Sequence, residues 1–247
     1  MRRSTACPGC PHVALMAMNK PGCHESTFQV HNGRPRPRVR GVADMWATIA
    51  NERGALAEDL AELSVERWAT QSLCPDWTVQ DALAHMTSTA HITPPAFLLG
   101  MAGSGLNFEK FSRKGIARWR GDSPAQTLQS FREVQHSRRH PPGPSATWLG
   151  EAIVHAEDIR RPLGIRHAYP ADAVRQALDF YKGSNALIGT KRRIAGVTLR
   201  ATDTDWTYGS GPDAHGPMLS LLLAGTGRTA ALDDLTGEGV AVLRSRA

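Results

Sequence analysis

Glu151-Ala-Ile-Val-His155 sets a carboxylate and an imidazole four residues apart. On a helix this spacing projects both groups from one face, near enough to share one divalent cation. It also suits a solvated ion pair, and spacing alone does not choose between the two. A metal would need a further ligand from another helix, and His85 is the best placed. It lies among Ala82, Leu83 and Met86, behind the helix start signal Thr78-Val79-Gln80-Asp81. There Thr78 acts as cap and Asp81 replaces the usual glutamate of a capping box. An imidazole buried in that setting needs a partner, which a metal would supply. His91, His136, His140 and His167 stand beside prolines or in arginine-rich stretches and read as surface residues.

Such ligands need helices to hold them. Trp46, Ile49, Arg53, Leu56, Leu60 and Leu63 recur at three- and four-residue steps, which predicts an amphipathic helix from Met45 to about Trp68. Leu73 to Trp77 breaks it, and a second helix runs from Thr78 towards Ala90. Pro94, Pro95, Gly100, Gly103 and Gly105 predict a broken helix and loop within 91–122, followed by a basic stretch from Lys110 to Arg120. Ser123-Pro124 is an N-cap and N1 pair opening a third helix to about Arg139. A fourth, from about Thr147 to Ile159, carries Glu151 and His155, and another spans Ala171 to Tyr181. Beyond Gly189, Ile194 to Arg200 alternates like a strand, with Trp206 to Tyr208 as a short partner. Pro217 to Ala224 reads as a short helix and Val240 to Leu243 as a last strand. The expected fold is mainly α: a four-helix bundle over 42–185 carrying the site, then a small C-terminal α+β domain over 186–247.

The chain has 247 residues, 41% apolar and 21% charged, as globular proteins do, and lacks an apolar run long enough to span a bilayer. Its formal charge of +6 is unevenly placed. Seven of its 29 basic residues but only one of its 23 acidic residues, Glu25, fall in 1–40, leaving 22 of each in 41–247. A neutral body lacks the electrostatic footprint that a phosphate backbone requires, so neither nucleic acid nor membrane is an expected partner. Three of the four cysteines, Cys7, Cys10 and Cys23, also lie in the tail, so no disulfide framework supports the body. That fits a reducing cytoplasm. The tail's Cys7, Cys10, His12, Cys23 and His24 could ligate zinc only within a small fold, and none is legible there. Residues 1–41, rich in proline, read as a disordered extension, or as an artefact if translation begins near Met45.

Four phrases in order resemble the mycothiol-dependent maleylpyruvate isomerase family, within the DinB-like superfamily of metal-binding four-helix bundles. They are Ser72-Leu-Cys-Pro-Asp-Trp-Thr-Val-Gln-Asp-Ala-Leu-Ala-His85, Glu151-Ala-Ile-Val-His-Ala-Glu-Asp-Ile-Arg-Arg-Pro-Leu-Gly164, Ala201-Thr-Asp-Thr-Asp-Trp-Thr-Tyr-Gly-Ser-Gly-Pro212 and Gly227-Arg-Thr-Ala-Ala-Leu-Asp-Asp-Leu-Thr-Gly237. The resemblance implies a divalent metal, usually zinc, on the histidine that ends W-T-x-x-D-x-x-x-H and on the pair of E-x-x-x-H. Here these are His85, Glu151 and His155. It implies mycothiol as thiol cosubstrate, a small electrophile as substrate, and an arginine of the C-terminal module, Arg228, facing an anionic group. Three protein ligands leave positions open, as catalytic sites do.

Asp158 and Arg160 follow His155 by three and five residues; Asp158 could orient a ligand or take part in a salt bridge at the helix C-terminus. Trp77 reads as core packing beneath the second helix. Cys74 reads as a packed thiol, because the sequence reveals neither the base nor the cationic setting a nucleophile would need. Two histidines and a glutamate also suit nickel or iron. Three functions follow: a thiol-dependent isomerase or S-transferase, monomeric or homodimeric; a non-catalytic binding module; or a metallohydrolase using water instead of thiol.

Overall fold

A computed structural model of the chain describes residues 44–185 and 188–246. The tail cysteines and the reading of residues 1–41 lie outside the described residues. The protein is mainly helical, with a three-stranded sheet near its C-terminal end.

Helices α1 (Met45–Asp59), α2 (Val79–His91), α5 (Pro124–Glu133) and α6 (Ser145–Arg160) form the bundle. α1 packs on α6, α6 on α2, α2 on α5, and α5 on α1, so the ring closes. Its interior holds Leu56, Leu60, Leu83, Met86, Phe131 and Ile159, each fully or almost fully buried. Burying a side chain of this size contributes on the order of 1.5–3 kcal/mol. α1 is shorter than its apolar pattern predicts. It stops at Asp59, and Val65–Ala69 forms a separate 3-10 turn that brings Trp68 into the core from another direction. α2 begins with the predicted capping box: the Thr78 hydroxyl accepts from the Asp81 N–H at 3.2 Å, and the Asp81 carboxylate accepts from the Thr78 N–H at 3.0 Å.

The stretch expected as broken helix, loop and basic segment folds as α3 (Pro94–Ala102) and α4 (Phe108–Trp119). α4 lies along α2, and Gly115 sets how closely. A Cβ at that position would collide with the Ser88 hydroxyl, so the absent side chain lets the two backbones approach. α3 packs on α4, and Leu98 and Leu99 on it are exposed.

α7 (Ala171–Tyr181) packs on α6 and on α9 (Met218–Gly225). The short α8 (Thr190–Arg193) precedes the sheet, whose order is β2-β1-β3. β1 (Thr198–Ala201) pairs antiparallel with β2 (Thr207–Tyr208) and parallel with β3 (Asp213–Gly216). A second apolar cluster runs from Ile153 on α6 through Leu178 to Leu199, Leu221 and Leu232. The strand expected at Val240 to Leu243 is instead helix α10 (Gly239–Arg244). An apolar run with two valines suggests a strand, but the run does not pair with the sheet. Beyond β3 only the single bridge His215–Thr236 forms, and the chain then turns through Gly237 into a helix that buries Leu243. Among the described residues, no helix is long and apolar enough to cross a membrane.

Candidate metal centre

α2 presents His85 to the bundle interior, and α6 presents Glu151 and His155 from adjacent turns of one face. The three side chains are buried, and a ligand atom of each lies within 4.8 Å of the other two. The imidazoles meet edge to face, with ring centroids 5.0 Å apart.

His85 sits in a neutral setting. Its Nδ1 is 3.0 Å from the Ser112 hydroxyl on α4, while its Nε2 is buried with no hydrogen-bond partner. Leaving a buried nitrogen unsatisfied costs on the order of 1–3 kcal/mol, so the orphan points to a ligand for it. Burial holds the His85 pKa well below the usual histidine range; His155 and Arg228 press the same way, against Asp158. The ring is therefore neutral at physiological pH, the form a metal ligand requires.

His155 sits in an ionic setting. Its Nδ1 lies 2.8 Å from Asp158 Oδ2, which faces Nε2 away towards His85 and Glu151. Arg228 grips the same carboxylate twice, Nε to Oδ1 at 2.9 Å and Nη2 to Oδ2 at 2.6 Å. The Cys74 thiol donates to Asp158 Oδ2 at 3.2 Å, with its sulfur 4.0 Å from His155 Nδ1. Burial works against a charged His155, but the hydrogen bonds to Asp158 and Cys74 and the charge of Asp158 outweigh it. The ring's pKa is raised to about 10. Burial likewise opposes ionisation of Asp158, yet Arg228 and His155 hold its pKa below the usual carboxylate range. Glu151 accepts from the Thr89 hydroxyl at 2.7 Å, which fixes one carboxylate oxygen.

Distant segments assemble this group. Arg228 follows α9 at a turn where Gly227 takes φ +91°, a conformation favouring glycine. Its backbone N–H donates to Leu223 O and its Nη1 to Thr226 O, both at 2.9 Å. The loop before α2 is stitched to itself and to α6: Ser72 Oγ donates to Trp77 O at 2.8 Å, Gln71 Nε2 to Cys74 O at 2.8 Å, and Leu73 N to Asp158 O at 3.0 Å. Asp76 supplies the left-handed turn at φ +64°, a conformation its short polar side chain tolerates. This loop lays the Trp77 ring against His85, centroids 4.7 Å apart, so Trp77 packs on the core and walls the site together.

Several sequence expectations change here. Cys74 is fully buried but not in an inert setting, since His155, Asp158 and Arg228 surround its sulfur. Asp158 orients His155 and pairs with Arg228 at once. Arg160 takes no part: it is buried between Asp59, at 2.7 Å, and the Tyr169 hydroxyl, at 2.7 Å. His136 is exposed, as expected, but three histidines read as surface residues are half-buried. His91 stacks on Trp119 at 3.8 Å, His140 lies between Trp46 and Trp148, and His167 meets Glu52 at 2.7 Å. None joins a candidate metal-ligand group among the described residues.

Cys74, His155 and Asp158 also form a three-ligand cluster. Its carboxylate is already neutralised by the Arg228 fork, and a cation there would face that guanidinium. The His85–Glu151–His155 group contains the unsatisfied nitrogen, and its carboxylate is not gripped by the Arg228 fork. Beside His85 opens a small cavity of about 20 Å³, walled by Phe97, Phe108, Phe111, Trp148 and Ile92 and floored by Ser112. These wall residues escape a sequence reading because α3, α4 and the start of α6 meet only in the fold.

Residues 49–160 match the family model described as the mycothiol maleylpyruvate isomerase N-terminal domain. None of the curated proteins matches the chain. Among solved structures, the chain is similar to a crystal structure of the mycothiol-dependent maleylpyruvate isomerase, with 15% identity and a TM-score of 0.56. A histidine-to-alanine mutant of that enzyme gives 14% identity and the same TM-score. Each likeness covers 79% of this chain and 92% of the other, and at such identity it bears on the fold alone. The resemblance read from the ordered sequence phrases agrees with this match, which spans residues 49–160.

Proposed function

We propose that the protein is a metal- and thiol-dependent isomerase or S-transferase acting on a small electrophile. His85, Glu151 and His155 hold the metal, zinc by preference for this donor set. The observation that carries the reading is the buried, unpartnered Nε2 of His85, with two further ligand-type side chains converging beside it. Mycothiol is the thiol the matched family's description suggests, and an actinobacterial cytoplasm is the setting we propose for it. A divalent cation lowers the pKa of a coordinated thiol and so supplies thiolate at neutral pH.

The chain's own residues prepare that chemistry. Asp158 holds the Nδ1 proton of His155 and aims Nε2 into the site, while Thr89 does the same service for Glu151. Arg228 is a positioning residue. Two of its nitrogens are committed to Asp158, so it acts through that carboxylate before it can meet an anionic substrate. Trp77 and the aromatic cavity set apolar walls beside His85. For isomerisation, a thiolate adds to one carbon of an activated double bond, the resulting single bond rotates, and the same C–S bond breaks to restore the alkene. The thiol is regenerated and nothing is oxidised. In S-transfer the C–S bond remains, and a proton or a leaving group balances it.

Metal analysis of the purified chain, paired with turnover of an activated alkene with and without mycothiol, tests this reading. About one divalent ion per chain and strictly thiol-dependent turnover is the expected result. A protein that takes up no metal overturns it, as does turnover indifferent to thiol.

A further inference from the structure

The cavity beside His85 is walled mostly by apolar rings. Phe97, Phe108, Phe111, Ile92, Pro141 and Trp148 supply most of the wall, with Ser88, Thr89 and Ser112 as its neutral polar groups. Among the described residues, no lysine or arginine lines it. Of the cations on α4 and at its C-cap, Lys110 is exposed and four others have partners away from the cavity. Arg113 pairs with Glu109, Lys114 donates to Gly103 O at 3.1 Å, Arg118 lies over Trp119, and Arg120 meets Asp81 at 2.8 Å. The charged residues of the site stand on its other side, where Glu151, His155 and Arg228 line a separate small hollow with Tyr181. One wall group of the aromatic cavity, the Trp148 indole N–H, is buried without a hydrogen-bond partner. It can donate to a carbonyl oxygen.

From this we infer that the electrophile is a neutral, flat, apolar enone, an aryl or alkyl α,β-unsaturated ketone, and not a dicarboxylate. Its ring occupies the aromatic cavity, and its carbonyl answers an unsatisfied donor. A carboxylate set against the aromatic wall, away from the ligand group, would lose its hydration with no lysine or arginine of the lining to meet it. The cavity as it stands has room for about one water. The half-buried rings of Phe108 and Phe111 must therefore turn to admit a ligand. This inference rests on the proposed function for its reaction, but its test does not.

Benzalacetone and cinnamate share a phenyl ring and a conjugated double bond, and differ in carrying a methyl ketone or a carboxylate. Titration of each into the purified chain, followed by tryptophan fluorescence and calorimetry without any thiol, reads the cavity alone. The ketone is expected to bind at least about tenfold tighter, which corresponds to about 1.4 kcal/mol. Phe108→Arg, a change at a half-buried wall position, should narrow or reverse that order. Cinnamate binding as tightly as the ketone to the unaltered chain overturns the inference, as does no binding of either. So does a folded Phe108→Arg protein with the original preference. If that variant does not fold, the order in the unaltered chain still decides. Metal content, measured on the same samples, tells a failed cavity from a failed metal reading.

Discussion

The two histidines of the candidate centre are a few ångströms apart, yet the protein treats them in opposite ways. His85 is carried by α2, touches one neutral hydroxyl and keeps a nitrogen unsatisfied. His155 is carried by α6 and closes a buried chain of Asp158, Arg228 and Cys74. Burial lowers the pKa of the first, while the anionic neighbour raises that of the second. The contrast teaches that one side of the site is dry and uncharged and the other is electrostatically pinned. A metal binding here would therefore have to displace a proton from His155, whereas His85 is already in the neutral form.

The largest effect should come from removing the neutral ligand. His85→Ala should abolish metal binding and thiol-dependent turnover while far-UV circular dichroism stays native, because the bundle core does not depend on that ring. Retention of a full metal equivalent would show that His85 is only a packed histidine.

The next effect should come from the pinned side. Asp158→Asn leaves the Arg228 guanidinium buried without its counter-ion, which should cost about 3–5 kcal/mol in denaturant unfolding. Metal affinity should fall about 10–100-fold with the loss of the group orienting His155. Ser112→Ala, the matching change beside His85, should cost only about 1 kcal/mol. Equal losses from the two would erase the asymmetry.

Unfolding at varied pH in the presence of a chelator separates the two rings by sign. The raised pKa of His155 contributes stability fully present below its unfolded value of about 6.5 and lost as pH rises towards about 10. The depressed pKa of His85 acts oppositely: below about 6.5 the unfolded chain takes up a proton that the folded site refuses, so stability falls with acid. Each limb has a limiting slope of about 1.4 kcal/mol per pH unit for one proton. The predicted stability maximum is therefore near neutrality, with His85→Gln flattening the acid limb and His155→Gln the alkaline one. A single monotonic profile would contradict the assignment.

Cys74→Ser should have the smallest effect. It preserves a donor to Asp158, so stability should fall by about 1 kcal/mol and turnover should stay within a few-fold. A collapse of turnover at unchanged metal content would give this thiol a chemical role.

Much of the scaffold was legible because local physics set it. The Thr78 capping box, the Ser123-Pro124 start of α5 and the full extent of α7 follow from capping and periodicity, and the structure has them. The strand β3 was not legible, since Asp213-Ala-His-Gly216 lacks alternation and exists because β1 offers an edge. The helical character of α10 was hidden for the converse reason. The charged setting of Cys74 was also invisible, because its partners come from α6 and from the turn after α9.

By itself the sequence determined which residues could ligate: an E-x-x-x-H pair on one helical face and a histidine behind a capped helix start. Periodicity and caps act within a few residues, so they fix helices and the faces those helices present. Only the tertiary structure decided that the Ser112 hydroxyl meets His85, that Arg228 reaches Asp158, and that α3 and α4 build an uncharged cavity. Those contacts join residues 27 and 70 positions apart, and they arise from packing that no local pattern encodes.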